Sequence, residues 1–339
     1  MYKIKNCIFI KYFSIIVSLI FFNVSLSYAD TTKLRFAHVH APSGPTGQGV
    51  EKFAQLVKKY SNGHVEIEIF PSSQLGGNKK ILGATRSGAV DIGLLPYPLM
   101  ADIVPSFGVL VSGYVFESWE HQKKVLNHEN LGVKWSKQLA EKGGLRILSN
   151  YYFGSRTLTT TKTPVYSPKD LKGKKIRAVP NPISLETVTG MGATPTPVPF
   201  SELFQALSQG VVDGQENPLP TIFAKKFYDV QKFLVMTKHQ SIPIPFAINE
   251  KKWSTLSSND KKAILKAAKE ACDWTTNTVQ KQEKELTKTL SELGMTVIDS
   301  NSGLDLKSFK KSVGDSVKNL DGKIWPAGLL KTVKSMAKK

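Results

Sequence analysis

Residues 210–218 read GVVDGQENP, and residues 175–177, earlier in the chain, read KIR. The KIR segment follows a glycine turn and lies in a run typical of a β-strand, with Arg177 near the strand's end. The dipeptide Asp213-Gly214 is typical of a tight turn, and Asn217-Pro218 predicts a chain break behind it. An arginine guanidinium matches a carboxylate with two parallel hydrogen bonds, and Asn217 offers an amide beside it. The two segments therefore predict a site for a carboxylate.

Two further segments extend this pattern along the chain. Residues 192–207 read GATPTPVPFSELFQAL, and residues 230–239 read VQKFLVMTKH. Taken in order with KIR and GVVDGQENP, they resemble the extracytoplasmic solute-binding proteins of TRAP transporters, of the DctP type. The resemblance extends from residues 34–38 through the region of Trp253. It implies an α/β periplasmic binding protein with two lobes, a central cleft, hinge strands and a long helix that bridges both lobes.

The resemblance also implies which residues hold the ligand. It places the ligand's carboxylate against Arg177, with Asn217 holding both. It adds the arginine of the G-x-R-x-x-T segment, the aromatic residue before the next helix and the histidine of the Thr-Lys-His segment: Arg156, Phe200 and His239. From the residues alone, the arginines could instead pair with a structural acid or brace a loop. Phe200 could belong to the core, and His239 could face solvent.

The first lobe offers less specific candidates for the opposite wall of the cleft. Open α/β sheets bind ligands at the ends of their strands and in the loops that follow. Three residues occupy such positions in the predicted first lobe: His40, Gln74 and Tyr97. The dipeptide Asn181-Pro182 resembles relatives that bind sugar acids. Sugar acids, C4-dicarboxylates, hydroxy or keto acids, and sulfonates all remain open as ligands.

The first 29 residues have the composition of a secretory leader. Three lysines precede the apolar run 13–22, and residues 27–29 form a small-x-small cleavage site. Cleavage after Ala29 would place the protein in the periplasm. An uncleaved membrane anchor is the alternative, although polar residues interrupt the apolar run: Ser14, Ser18 and Asn23. The later sequence contains no run of about 20 apolar residues, the length that a membrane-spanning helix requires.

The chain of 339 residues has a formal charge of +19, which falls to +16 without the leader lysines. So basic a protein could bind nucleic acid or an anionic membrane surface. The lysines are scattered, however, and no aromatic-rich RNA motif or zinc-finger spacing accompanies them. A lysine-rich solvated surface is the preferred interpretation, and we expect no nucleic-acid partner. Cys272 is the single cysteine after the leader and is interpreted as a buried, inert thiol.

The 310 residues after the leader suffice for two domains. We assign residues 30–150 and about 242–275 to lobe I, and residues 151–241 with part of 276–339 to lobe II. Residues 259–293 contain no proline or glycine, and their apolar spacing predicts one long amphipathic helix. Two helices broken near residues 275–276 are the alternative. Residues 242–245, which read IPIP, predict a break in the chain, and Ser201 is the expected N-cap of a helix.

No catalytic, cofactor or metal motif stands out. Residues 44–49 have the glycine spacing of a phosphate-binding loop, but Val50-Glu51 replaces the lysine and hydroxyl residue that the motif requires. The histidines show no metal-ligand spacing. Asp213 and Glu216 could in principle serve as paired carboxylates of an exported enzyme. The preferred interpretation is a monomeric binding protein without enzymatic activity, cofactor or metal, which delivers a small acid to membrane permease subunits.

Overall fold

The computed structural model describes residues 31–338. The predicted leader and its cleavage site after Ala29 lie outside these residues. Nine strands are assigned within the described part: β1 (Thr32–Ala37), β2 (Val65–Phe70), β3 (Ile92–Leu94), β4 (Leu145–Thr160), β5 (Lys175–Ala178), β6 (Thr194–Pro197), β7 (Gly214–Pro218), β8 (Phe233–Asn249) and β9 (Thr296–Ile298).

Twelve α-helices are assigned in the same part of the chain: α1 (Pro45–Tyr60), α2 (Asn78–Ser87), α3 (Tyr97–Met100), α4 (Trp119–Leu126), α5 (Lys134–Gly143), α6 (Pro182–Gly190), α7 (Leu203–Ser208), α8 (Leu219–Ala224), α9 (Glu250–Thr255), α10 (Ser258–Glu292), α11 (Leu306–Lys318) and α12 (Leu329–Ser335). Short 3₁₀ and π turns complete them: Pro105–Val111, Glu129–Val133, Pro168–Leu171, Phe200–Glu202, Phe227–Asp229, Ser300–Ser302 and Met336–Lys338. In residues 31–338, every helix is too short or too polar to cross a membrane.

The strands form one mixed sheet that runs through both lobes. Its order is β2-β1-β3-β8-β4-β7-β5-β6, and β9 pairs with β8. Parallel strands β1, β2 and β3 build the sheet of the first lobe, and parallel strands β5, β6 and β7 build that of the second. The antiparallel strands β4 and β8 connect the two. A large hydrophobic core extends along the sheet, and a smaller cluster lies under α7 and α8. The predicted two-lobed α/β fold is confirmed.

The long strand β8 corrects the break predicted at residues 242–245. Pro243 and Pro245 lie within it and face Tyr152 and Asn150 of β4. On its other edge, β8 pairs with β9 through residues 233–235 and with β3 through residues 246–248. The two prolines fall between these stretches, so on this edge of β8 a missing N–H removes no ladder hydrogen bond. Strand β8 therefore continues through a sequence for which local rules predict a break.

The pairing between β4 and β8 is irregular. The register shifts at three points, between Ile147 and Ser149, between Tyr152 and Gly154, and between Arg156 and Leu158. At the second shift, Phe153 has no partner on β8, as in a β-bulge, and Gly154 has a φ of 128°. Bulges bend a strand and redirect side chains. This one bends β4 next to Pro218 and Glu283.

The Gly154→Ala variant is expected to lose about 2–4 kcal/mol of unfolding free energy through backbone strain and overpacking. An added Cβ would lie 2.5 Å from the Cβ atom of Pro218 and 3.1 Å from Oε1 of Glu283. Gly173→Ala is the matched control, since Gly173 has a φ of 76° with open space around it. That control should lose only about 1–2 kcal/mol. Urea denaturation measures both values, and equal losses would show that the close packing at Gly154 contributes nothing.

Helix α10 is continuous over 35 residues, so the alternative of two helices broken near residues 275–276 is wrong. It spans about 50 Å at 1.5 Å per residue. Two side chains attach it to the bulged part of β4. The hydroxyl of Thr276 accepts a hydrogen bond from the Tyr152 amide at 3.0 Å, and Glu283 accepts one from the Ser155 amide at 2.7 Å. Cys272 is fully buried on the same helix, and burial raises the pKa of its thiol.

Two local predictions are corrected. Ser201 lies inside the 3₁₀ turn Phe200–Glu202, and the N-cap of α7 is Glu202. Asp213-Gly214 forms no tight turn. The chain reverses at Gly210, where φ is 68°, and Asp213 holds the start of β7 against β5 by accepting a hydrogen bond from the Lys175 amide at 2.8 Å. The proposed division of the chain between the two lobes stays a prediction.

Candidate functional site

A cavity of about 60 Å³ lies where the two lobes meet. It is lined by residues of strands β4, β5, β7 and β8 and of first-lobe loops. Five of the predicted site residues line it: His40, Arg156, Arg177, Phe200 and Asn217. The structure thus brings Arg177 of the KIR segment together with Asn217 of the GVVDGQENP segment. His239, Gln74 and Tyr97 lie outside the lining.

Arg177 lines the cavity from strand β5 and is almost completely buried. Its side chain is 1 % exposed, and its Nε donates a hydrogen bond to the Val198 carbonyl at 2.8 Å. Among the ion pairs of the described residues, none includes Arg177. Burial, reinforced by the charge of Arg156, lowers the pKa of Arg177 to about 9, so the guanidinium stays charged at neutral pH. The cavity therefore contains a buried cation without an ion-pair partner in the described protein.

Arg156 lies beside Arg177 but has a partner of its own. Its Nε and Nη2 donate hydrogen bonds to the carboxylate of Glu216, with Nη2 to Oε1 at 2.7 Å. His239 contacts the same carboxylate, with 3.2 Å between Nε2 and Oε2. Burial acts to raise the pKa of Glu216, but the charge of Arg156 and the hydrogen bond with His239 outweigh it and lower that pKa. Glu216 is thus an ionised carboxylate that neutralises Arg156.

His239 lies behind this pair, away from solvent. Its side chain is fully buried, and its Nδ1 is 2.9 Å from the hydroxyl of Thr237. Both ring nitrogens therefore have protein partners. The structure places His239 where it orients Glu216, one layer away from the cavity.

Asn217 lines the cavity next to the arginines and is held by a chain of buried amides and hydroxyls. Its Nδ2 donates to Oε1 of Gln215 at 2.5 Å. Gln215 in turn donates to Thr159 at 2.9 Å, and Thr159 donates to Gln231 at 2.8 Å. These bonds fix the orientation of the Asn217 amide. Its Oδ1 is left as the oxygen that a ligand could meet.

Aromatic rings form the side of the cavity that faces the first lobe. His40 has its ring centroid 5.1 Å from that of Phe153 and 5.7 Å from that of Phe200. Lys225 also lies over the Phe200 ring, with Nζ 5.5 Å from the centroid. Burial lowers the pKa of His40 well below its usual range, with a smaller contribution from His38. His40 is therefore neutral at pH 7.

Tyr97 and Gln74 lie apart from this cluster. Tyr97 is fully buried, and its hydroxyl donates to Oδ1 of Asn150 at 2.7 Å. The neighbouring residues Pro96 and Pro98 line the cavity in its place. Gln74 is exposed in the loop after β2. Asn181 is also committed elsewhere, since it caps helix α6 by accepting hydrogen bonds from two amides.

Several lining residues were not among the candidates from the sequence. Phe153 enters the cavity because β4 bulges at that position. Asn78 begins helix α2 on the first-lobe side. The others are Val39, Pro96, Pro98, Val179, Ser184, Gln240, Ile242 and Ile244. Phe153 could have been recognised from the sequence, because it is an aromatic residue three positions before the candidate Arg156. The apolar lining residues look like ordinary core residues in the sequence.

A wider groove of about 980 Å³ lies against α4, α5 and the start of β4. It contains Arg146, but that guanidinium forms two hydrogen bonds with the Glu250 carboxylate, at 2.8 and 2.5 Å. The groove is also exposed along Leu265 and Lys269 of α10. It has no uncommitted buried charge comparable to Arg177. The smaller cavity is therefore the candidate site. Within the described range, no cluster of three or more potential metal-ligating side chains occurs.

The His38→Asn variant is expected to flatten the dependence of melting temperature on pH between 7 and 5. Burial lowers the pKa of His38 from 6.5 to about 4, so its stabilising contribution is complete above the unfolded value of 6.5. That contribution is lost as the pH falls through this window, by on the order of 1 kcal/mol per pH unit. Thermal melts at pH 7 and pH 5 measure the effect. His64→Asn, at an exposed histidine, is the control. An unchanged slope in His38→Asn would contradict the assignment.

Comparison with known proteins shows which family the chain is similar to and supports the same fold. The family model "Bacterial extracellular solute-binding protein, family 7" (DctP) matches residues 36–322. The 2,3-diketo-L-gulonate-binding periplasmic protein YiaO of Escherichia coli K12 is 30 % identical over 311 residues, which cover 91 % of this chain and 93 % of that protein. The C4-dicarboxylate-binding periplasmic protein DctP of Rhodobacter capsulatus is 31 % identical over 274 residues, covering 79 % and 80 %.

A solved structure extends the comparison to three dimensions. The TRAP periplasmic solute-binding protein of Actinobacillus succinogenes 130z, with bound L-galactonate, superposes with a TM-score of 0.85 at 32 % identity. The match covers 91 % of this chain and 99 % of that one. The family model covers most of the chain, and these relatives match it over most of their own length. The chain belongs to the DctP family, the bacterial extracellular solute-binding proteins of family 7 that serve TRAP transporters.

Proposed function

We propose that this protein is the periplasmic receptor of a TRAP-type transporter and that it captures a small organic acid through a salt bridge between Arg177 and the ligand's carboxylate. One observation carries the proposal. Arg177 is a buried, charged guanidinium that lines the cavity between the lobes without an ion pair to a described acid. A buried charge without a direct ion-pair partner is costly, and a carboxylate ligand would supply that partner.

The surrounding residues support this role. Glu216 neutralises Arg156, so the positive charge of Arg177 remains available to the ligand. Asn217 presents Oδ1 next to the carboxylate position, where it would accept a hydrogen bond from a hydroxyl group of the ligand. Closing of the first lobe over the cavity would exclude water and strengthen the charge pair. The bulged strands β4 and β8 are where we expect the chain to bend.

The ligands named for the relatives agree with this chemistry. 2,3-Diketo-L-gulonate, C4-dicarboxylates and L-galactonate all carry a carboxylate. Proteins of the family are extracytoplasmic binding proteins, and we infer the same location for this chain after cleavage behind Ala29. We infer further that it acts as a monomer, has no enzymatic activity and passes its ligand to permease subunits in the membrane.

A thermal-shift screen of organic acids tests the proposal. A ligand present at 100 times its Kd should stabilise the protein by about 2.7 kcal/mol, which raises the melting temperature by several degrees. Calorimetry then gives the stoichiometry, and chromatography of the recovered ligand tests for turnover. One unchanged acid bound per chain is the expected result. Consumption of the ligand, or the absence of any shift with carboxylates, would contradict a receptor for organic acids.

A further inference from the structure

The walls of the cavity outside the arginine end are mostly apolar. Six such residues come from both lobes and from the strands between them: Val39, Pro96, Pro98, Phe153, Ile242 and Ile244. None of these side chains has a hydrogen-bond donor or acceptor, and the two prolines also lack a backbone N–H. A ligand held by Arg177 would therefore extend its body against hydrocarbon surface.

Most polar side chains of the lining are already engaged within the protein. Gln240 donates through Nε2 to the Val111 carbonyl. The hydroxyl of Ser184 accepts a hydrogen bond from Asn181 at 3.0 Å. Among the described residues, His40 and Asn78 are the lining side chains outside the arginine end for which no hydrogen bond is assigned. With these two side chains, together with the Ser184 O–H and Gln240 Oε1, the site could pair a few neutral polar atoms of a ligand, whereas most of the wall offers no partner to a row of hydroxyl groups.

The cavity also lacks a cation for a second carboxylate. Arg156 is neutralised by Glu216, and His40 is neutral at pH 7. Lys225 is a further candidate, but it lines an adjacent pocket, where its Nζ lies over the Phe200 ring. Within the described lining, Arg177 is therefore the single charge left for a ligand. A second ionised group would lose its water and gain no partner.

We propose that the ligand is a monocarboxylate with a compact apolar body, such as a branched-chain 2-oxo or 2-hydroxy acid. This inference rests on the proposed function, because it takes the carboxylate to be held by Arg177. The cavity volume of about 60 Å³ also suits a short body. A ligand of this kind removes apolar surface from water at the cavity walls, whereas each unpaired hydroxyl or carboxylate would lower the affinity.

Calorimetric titration of the full mature chain with three acids tests the inference. The probes are 4-methyl-2-oxopentanoate, L-galactonate, which replaces the apolar body with hydroxyl groups, and succinate, which adds a second carboxylate. We expect the Kd of the branched acid to be at least tenfold lower than the other two. Tighter or equal binding of L-galactonate or succinate would overturn the apolar assignment and leave the receptor function in place. Absence of binding by all three, and by a wider carboxylate screen, would overturn both.

A variant of the wall gives a second, independent measurement. Ile242→Thr places a hydroxyl against the proposed apolar body and should raise the Kd of 4-methyl-2-oxopentanoate about tenfold. Ile147→Thr is the matched control, because Ile147 lies on β4 of the same strand pair but outside the cavity. Its Kd should equal that of the parent protein. An unchanged Kd in Ile242→Thr, with the protein folded by circular dichroism, would count against the proposed contact.

Discussion

Replacing Arg177 with alanine is expected to weaken binding of the cognate acid by about 2–5 kcal/mol, roughly thirtyfold to several-thousandfold in Kd. The change removes the buried cation that lines the cavity without an acid partner. Without it, the ligand's carboxylate would be desolvated with no counter-charge. Isothermal titration calorimetry with the best ligand of the screen measures the effect.

Lys175→Ala is the matched control for that experiment. Lys175 lies on the same strand, two residues before Arg177, and its side chain is exposed. The control removes one positive charge from the protein without touching the cavity. Its Kd should change by less than threefold at moderate salt, where distant charges are screened. If Arg177→Ala binds as tightly as this control, the proposed salt bridge does not exist.

The Glu216→Gln variant should show the largest loss of folding stability, about 3–5 kcal/mol. The substitution keeps the shape of the side chain but removes its charge. Arg156 and Arg177 would then be two buried cations with no counter-charge, and the charge of Arg156 already contributes to lowering the pKa of Arg177. Guanidinium denaturation of the ligand-free protein measures the loss.

A double variant and a surface variant make this prediction specific. Combining Glu216→Gln with Arg156→Met removes both buried charges of the pair and should recover much of the lost stability. Asp273→Asn breaks the ion pair with Lys269, whose 2.6 Å contact lies on the exposed face of α10. That loss should stay under about 1 kcal/mol. A Glu216→Gln variant no less stable than Asp273→Asn would show that the buried pair contributes no more than a surface pair.

Local sequence rules predicted the elements whose causes are themselves local. The absence of proline and glycine over residues 259–293 and their regular apolar spacing correspond to the uninterrupted helix α10. The glycine turn before KIR corresponds to the start of β5, with Arg177 near the end of that strand. Helix and strand propensities depend on neighbouring residues, so helix α10 and strand β5 can be predicted without knowledge of the rest of the chain.

The remaining features depend on contacts between distant segments. Pro243 lies inside a strand because that part of β8 has no second neighbour, and a single sequence does not reveal strand neighbours. Phe153 reaches the cavity through a bulge whose position depends on the pairing of β4 with β8. Tyr97 comes after a strand of the first lobe, as predicted, but packing turns its hydroxyl toward Asn150. The direction of a side chain at a strand end is decided by tertiary packing.

Because the sheet is continuous, we expect that the protein cannot be divided into two fragments that fold independently. Strands β4 and β8 lie in the middle of the sheet, between the strands of the two lobes, and they are far apart in the sequence. A fragment that ended inside β8 would expose the edge of β4 and could pair with other chains through it. We therefore expect a single calorimetric unfolding transition for the whole receptor. A deletion in either lobe should make both lobes susceptible to proteolysis at the same time.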